Sequence, residues 1–180
     1  MMKCLFILLP LLVIKIISEP LIVHVIPHSH LDPGWLDSYE DNYIGNARWA
    51  CVRCVYKSVL KLLNENYNRT FVIAEVSYFS KWYNLQSKKD KSTIKDLIRS
   101  GRIEFVHGGW VEQDEATTLY KDIILNMRVG MQFLKKEFNI TVETAWGIDS
   151  FDYSSSNVLI LFNKKGLYFI ATWAKTYNCK

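Results

Sequence analysis

Short apolar runs rich in Val, Ile and Phe alternate with longer stretches of helical period along most of this 180-residue chain. The runs are Val23 to Ile26, Phe71 to Ala74, Ile103 to Val106, about Val142 to Ile148, and Leu167 to Ala171. Between the first two, Ala47 to Leu63 repeats apolar residues at Cys51, Val55, Val59 and Leu62–Leu63. A shorter helix carries Ile94, Leu97 and Ile98, capped by Ser92 or Thr93 and stopped by Gly101. Thr118 to Phe138 has Leu119, Ile123, Met127, Met131, Leu134 and Phe138 on one stripe, and a last helix runs from Ser154–Ser156 to Gly166. Strands alternating with helices predict parallel pairing, because parallel neighbours need a long crossover and only the right-handed one packs back onto the sheet. The expectation is one α/β domain, a parallel β/α barrel left incomplete because five strands do not close it.

In such a barrel the polar residues that follow each strand converge on one face. The first run ends in Pro27-His28-Ser29-His30-Leu31-Asp32-Pro33-Gly34-Trp35. Side chains two apart on an extended segment point the same way, so His28, His30 and Asp32 share a face. Imidazole nitrogen with carboxylate oxygen suits Zn²⁺, and His30 with Asp32 is the tightest pair. A histidine cluster packed at a strand end is the competing reading. Glu75 follows the second run, His107, Trp110, Asp114 and Glu115 the third, and Asp149, Phe151 and Asp152 the fourth. Glu75 also fits a strand-end cap, and Asp114 and Glu115 fit the positive N-terminus of the long helix. Asp149, at the end of Trp146-Gly147-Ile148-Asp149, has no such structural duty. A metal, carboxylates and exposed aromatics at one mouth point to carbohydrate chemistry, in which paired carboxyl groups cleave the glycosidic bond.

Residues 1–18 read as a signal peptide: Lys3 is the positive n-region, Cys4 to Ile14 the apolar core, and Ser18 a small residue near the cut. Lys15 interrupts the run short of the roughly 20 residues a membrane span needs, so no stable membrane anchor is expected after cleavage. Cleavage removes Lys3 and Lys15 from a net charge of +4, which is too mild a balance for nucleic acid. At 49% hydrophobic the chain has enough apolar material for a core. Cys51 and Cys54, in Cys-Val-Arg-Cys, are expected to be small core residues on a helix face, with a redox pair or metal clip as the alternative. Cys179 is near the end. The sequons at Asn68 and Asn139 fit a secretory route.

The segment Pro27 to Trp35 is joined by Ala74-Glu75-Val76-Ser77-Tyr78-Phe79-Ser80-Lys81-Trp82-Tyr83 and by Gly101-Arg102-Ile103-Glu104-Phe105. Further on stand Gly108-Gly109-Trp110-Val111, Asp114-Glu115-Ala116 and Trp146-Gly147-Ile148-Asp149. In this order they closely resemble the motifs of the class II α-mannosidases, glycoside hydrolase family 38. The resemblance implies a seven-stranded β/α barrel holding one Zn²⁺, with residues 19–180 as the N-terminal portion of the catalytic domain. It implies His30 and Asp32 as zinc ligands, Asp149 as the nucleophile and a further ligand, and Trp35 and Phe151 as aromatics lining the mannose site. The implied substrates are mannose-containing oligosaccharides or glycoproteins, met during N-glycan trimming or mannoprotein catabolism in a lysosomal or extracellular setting.

Departures accompany the likeness. The family pattern Asp-Pro-Phe-Gly-His is here Asp149-Ser150-Phe151-Asp152-Tyr153, and Ala171-Thr172-Trp173 stands where an Arg is expected. The family's general acid and remaining zinc ligand lie on later barrel segments, so the chain alone is expected to be inactive. Two alternatives stand beside the mannosidase. One is a zinc deacetylase or amidohydrolase on a related barrel, with Asp149 as base; the other is a truncated, non-catalytic sugar-binding product.

Overall fold

In the computed structural model, which describes residues 23–48, 50–152, 154 and 168–171, the strands pair in parallel. The element order is α1 (Tyr39–Ile44), α2 (Val52–Glu65), β1 (Phe71–Ile73), α3 (Val76–Asn84), α4 (Lys88–Arg99), β2 (Ile103–Phe105), α5 (Tyr120–Phe138), β3 (Thr144–Gly147) and β4 (Tyr168–Ala171). β1 lies beside β2 with Phe71 opposite Ile103, and β3 beside β4 with Thr144 opposite Tyr168. Two contacts extend this into a run in chain order. The Val72 N–H donates to Pro27 O at 2.9 Å next to a parallel bridge between His28 and Val72, and the His107 N–H donates to Thr144 O at 2.7 Å. The expected mixed α/β fold with parallel pairing is present. The described residues form short strands in an open run, without a closed seven-stranded barrel.

Several elements differ from expectation. Val23 to Ile26 forms no ladder, and Val23 and Val25 are exposed; pairing begins only at His28, where β1 offers a partner. The aromatic, acidic stretch after Trp35, expected as loop, contains α1. Ser38 accepts the Asp41 N–H at its N-terminus, and Gly45 ends it at a left-handed φ of 90°. α2 begins at Val52 rather than Ala47, and α4 begins at Lys88 because Ser87 caps it, accepting the Asp90 N–H at 3.1 Å. α3 was not anticipated. Ser77, Ser80, Lys81 and Asn84 recur at helical spacing, but over only nine residues, and the fold buries Ser77 and Ser80 together with the aromatics. The predicted signal peptide, the predicted last helix from Ser154–Ser156 to Gly166 apart from Ser154 itself, Thr172-Trp173 and Cys179 lie outside the described residues.

The core fixes where the strand ends sit. Tyr56 of α2, Phe79, Trp82 and Tyr83 of α3, Phe105 of β2 and Phe138 of α5 pack together, with Phe79 and Phe105 rings 4.8 Å apart, edge to face. Each buried aromatic contributes about 1.5–3 kcal/mol by leaving water, so this cluster clamps the helices to one side of β1 and β2. α5 then meets the loop after β2 at Gly130, where an added Cβ would lie 2.2 Å from Gly108 O. Asn126 of α5 clasps the same loop, accepting the Val111 N–H and donating to Val111 O, both at 2.8 Å.

Cys51 and Cys54 are a disulfide, not two free core thiols. Placed at the N-cap and in the first turn of α2, their Cα atoms are 5.2 Å apart, within bridging distance. No described helix is long and apolar enough to cross a membrane.

Candidate metal centre and sugar cleft

His30 is the hub of the site. It stands beyond the bridge at His28, in the segment that Glu75 secures from the end of β1: the Leu31 N–H donates to Glu75 Oε1 at 2.7 Å. Glu75 is 1% exposed and occupies the N-cap position of α3, but it makes no cap hydrogen bond there. The expected cap is thus replaced by a hold on the His30–Asp32 segment. Burial, aided by Glu112, raises the Glu75 carboxyl to about 8.

Both nitrogens of the His30 ring face carboxylates. Nδ1 lies 2.8 Å from Glu112 Oε2, while Nε2 lies 3.3 Å from Asp32 Oδ1 and 3.7 Å from Asp149 Oδ2. The hydrogen bond to Glu112 and the surrounding acids raise His30 to about 9. The negative field that holds a proton on this ring is the field that would hold a divalent cation in its place.

The donor set fits Zn²⁺. An imidazole oriented by a carboxylate on one nitrogen presents the other to a metal, and here that second nitrogen points toward two further carboxylates. His30, Glu75 and Glu112 also bring donor atoms within 4.8 Å of one another. In that grouping Glu75 Oε1 is engaged by the Leu31 N–H and Glu112 by Nδ1. Glu112 therefore supports the ring and Glu75 the backbone beside it, with Glu75 Oε2 buried and without a hydrogen-bond partner among the described residues; the Nε2 side with Asp32 and Asp149 is the one that opens to the cleft.

The structure joins His30, Asp32 and Asp149 as the sequence predicted, and separates His28 from them. The His28 ring meets the Trp146 indole edge to face at 5.1 Å, so it packs on β3. Asp149 is held by its own turn: the Ser150 N–H donates to Asp149 Oδ1 at 2.6 Å, and the Asp149 N–H to Asp152 Oδ2 at 3.1 Å. The turn thus closes without the Pro and Gly of the family pattern. Burial and the facing Glu112 raise Asp152 to about 7.

Asp114 and Glu115 do not serve α5, whose first turn carries Asp122 instead. Asp114 accepts the Ala116 N–H, and Glu115 reaches across to accept the Ser154 N–H at 2.6 Å. A cleft of about 490 Å³ opens over His30, Asp32 and Asp149, with Trp35 72% and Phe151 52% exposed along it. Such aromatics, bare to solvent beside carboxylates, offer flat faces to a sugar ring.

Glu112 is the residue the sequence reading missed. It stands in the same loop as Asp114 and Glu115, and the polar run Glu112-Gln113-Asp114-Glu115 after β2 was the available signal. Only the fold shows that the first member turns inward. Gln113 is positioned with it, 2.8 Å from the buried His107 ring and 3.0 Å from Asn126.

The Glycosyl hydrolases family 38 N-terminal domain matches residues 20–180. A probable alpha-mannosidase of Arabidopsis thaliana is 41% identical over 156 residues, 85% of this chain and 15% of that protein. The lysosomal alpha-mannosidase of Bos taurus is 38% identical over 145 residues, 78% of this chain and 14% of that one. The chain thus spans about a seventh of the length of these relatives. Among solved structures, an alpha-mannosidase from Enterococcus faecalis superposes with a TM-score of 0.52 at 18% identity, over 66% of this chain and 13% of that chain. A 4-alpha-glucanotransferase from Thermococcus litoralis gives 0.53 at 14% identity, over 76% of this chain and 20% of that chain. At those identities the likeness is one of fold. The family match leaves the amidohydrolase reading without support. Running through every motif from Pro27 to Asp149, it establishes that this chain belongs to glycosyl hydrolase family 38, the class II α-mannosidases, as part of their N-terminal domain.

Proposed function

We propose that this chain supplies the zinc-holding part of a retaining α-mannosidase site, with His30, Asp32 and Asp149 as ligands and Asp149 also as nucleophile. The observation that carries the reading is the His30 ring, tied to Glu112 at Nδ1 and facing Asp32 and Asp149 at Nε2. Zn²⁺ bound there would act as a Lewis acid for the ring hydroxyls of a terminal mannose and stabilise charge during its distortion. Asp149 would then attack the anomeric carbon, and a second carboxyl group elsewhere in the full-length enzyme would protonate the leaving oxygen. A carboxylate beside a divalent cation stays charged, as a nucleophile must. Trp35 and Phe151 would stack on the sugar and keep it over Asp149. The substrate class is mannose-bearing oligosaccharide or glycoprotein.

Among the described residues this reading assigns three ligands, fewer than a tetrahedral zinc site takes, and no partner acid, so the chain by itself would bind zinc weakly and not turn over. Metal content of the purified chain, measured after dialysis against free zinc, tests the ligands. His30→Ala or Asp32→Ala should empty the site while the circular dichroism stays unchanged. Zinc retained at parental level in His30→Ala makes His30 a packing residue and sinks the assignment. In a full-length relative, the substitution equivalent to Asp149→Asn should abolish hydrolysis of an aryl α-mannoside.

Entry into the secretory pathway is part of the same reading. Asn68 and Asn139 are both exposed, the first in the turn after α2 and the second at the C-cap of α5. Expression in a eukaryotic cell should remove about eighteen residues and add glycan at Asn68, Asn139 or both. An unprocessed, glycan-free cytosolic product would defeat it.

A further inference from the structure

The Cys51–Cys54 disulfide takes no part in the cleft over His30. We propose that it is a thiol–disulfide exchange site whose partner is an anionic small thiol of the glutathione class.

Access comes first. Cys54 is exposed, whereas Cys51 is half-buried against Gly45, where an added Cβ would lie 2.8 Å from the Cys51 sulfur. An incoming thiolate therefore reaches Cys54 Sγ. The leaving sulfur is the other one, and its place favours departure. Cys51 is the N-cap of α2, and that helix end has no side-chain cap. A thiolate released there would stand at the positive end of the helix dipole, at a helix end that no side chain caps. That position lowers a thiol's pKa and makes it a better leaving group.

The surroundings specify the partner. A cleft of about 680 Å³ opens beside Cys54, bordered by Arg53, Lys57 and Lys61 against Asp90, with Trp82 as an apolar wall. Excess positive charge concentrates an anionic thiol there and hastens its encounter. A purely structural duty explains the bond poorly. Disulfide stabilisation grows with the loop closed, and this one closes the shortest span of a helical turn, three positions apart. The turn is already held, since the Cys54 and Val55 N–H groups both donate to Cys51 O.

The exchange balances as follows. One thiolate attacks Cys54 Sγ, the Sγ–Sγ bond breaks, and its electron pair leaves on Cys51 as a thiolate. A second thiolate attacks the external sulfur of the mixed disulfide and releases Cys54. The two protons brought by the thiols end on Cys51 and Cys54. The protein is reduced by two electrons, and the small thiol leaves as its own disulfide.

Differential alkylation of the folded full chain in glutathione buffers, read by mass spectrometry on the peptide containing positions 51–54, tests this. The pair should pass from oxidised to reduced as the ratio of reduced to oxidised glutathione rises, without denaturant. Cys51→Ser should accumulate glutathione on Cys54. Arg53→Glu with Lys57→Glu should slow opening by glutathione about tenfold and leave opening by a neutral dithiol unchanged. A bond that opens only after unfolding in urea overturns the exchange site. Equal slowing of both reductants overturns the anionic partner.

Discussion

His107 shows how one buried ring shapes the loop beside the centre. It holds a left-handed φ of 61°, packs fully out of water, and meets Gln113 Oε1 through Nε2 while Nδ1 has no partner. Burial pushes its pKa below the ordinary value of 6.5, against the opposing pull of Gln113 and the acids Glu112 and Glu115. A base whose folded pKa is depressed gives stability that is present above the unfolded value and lost as pH falls. His107→Asn removes that titration, and Asn accepts a left-handed backbone more readily than His. Urea melts at pH 8 and pH 5 should show the variant losing less stability on acidification than the parent. Identical pH slopes would mean that His107 is protonated equally in the folded and unfolded chain. Glu112, in the same loop, should act on the metal instead. Replaced by Leu, it should weaken zinc binding about 10–100-fold by freeing the ring of His30, as read by competition with a chromophoric chelator.

Among the elements, α5 carries the loop that carries Glu112. Of its expected stripe, Ile123, Met127 and Leu134 are buried and Met131 and Phe138 half-buried, while Leu119 stands exposed at the N-cap; the spacing did not reveal why Gly130 interrupts it. The helix touches the 108–110 backbone there, with Gly109 C 2.6 Å and Trp110 N 2.7 Å from where a Cβ would stand. Gly130→Ala should therefore cost about 1–3 kcal/mol in urea unfolding and weaken zinc binding as the loop shifts. Gly101→Ala is the control. Nothing lies within 4 Å of its Cβ, so it carries only the strain of its φ of +70°, on the order of 1–2 kcal/mol, and should leave zinc binding unchanged. α5 had an amphipathic stripe to read. α3 was harder to read, because its polar spacing of Ser77, Ser80, Lys81 and Asn84 spans only nine residues, seven of which are buried, the two serines included. Val23 to Ile26 read as a strand from composition, but a strand is a pairing, and none of the described residues pairs with them in a ladder.

At the scale of the whole molecule, the described strands make an open run whose pairing continues from Pro27 to β4 without closing. The candidate metal site lies where the ends of these strands meet, with His30 and Asp32 from the segment beside β1 and Asp149 from the end of β3. Purified and supplied with zinc, the chain should give no turnover of an activated aryl α-mannoside, whose leaving group needs little acid help. Zinc-dependent turnover lost in Asp149→Asn would show that this segment alone assembles a working site. What the sequence determined by itself is whatever short-range spacing sets: the strand–helix alternation, the stripe of α5, and the grouping of His30 with Asp32 two residues apart. Backbone geometry alone makes such neighbours meet. What the tertiary structure decided is every meeting across the chain. It brought Glu112, 82 positions away, onto the ring of His30, turned Glu75 from a cap into a brace for Leu31, and sent His28 to Trp146. No local pattern encodes those partners, because each depends on where the packed aromatic core places the ends of the strands and the helices that cover them.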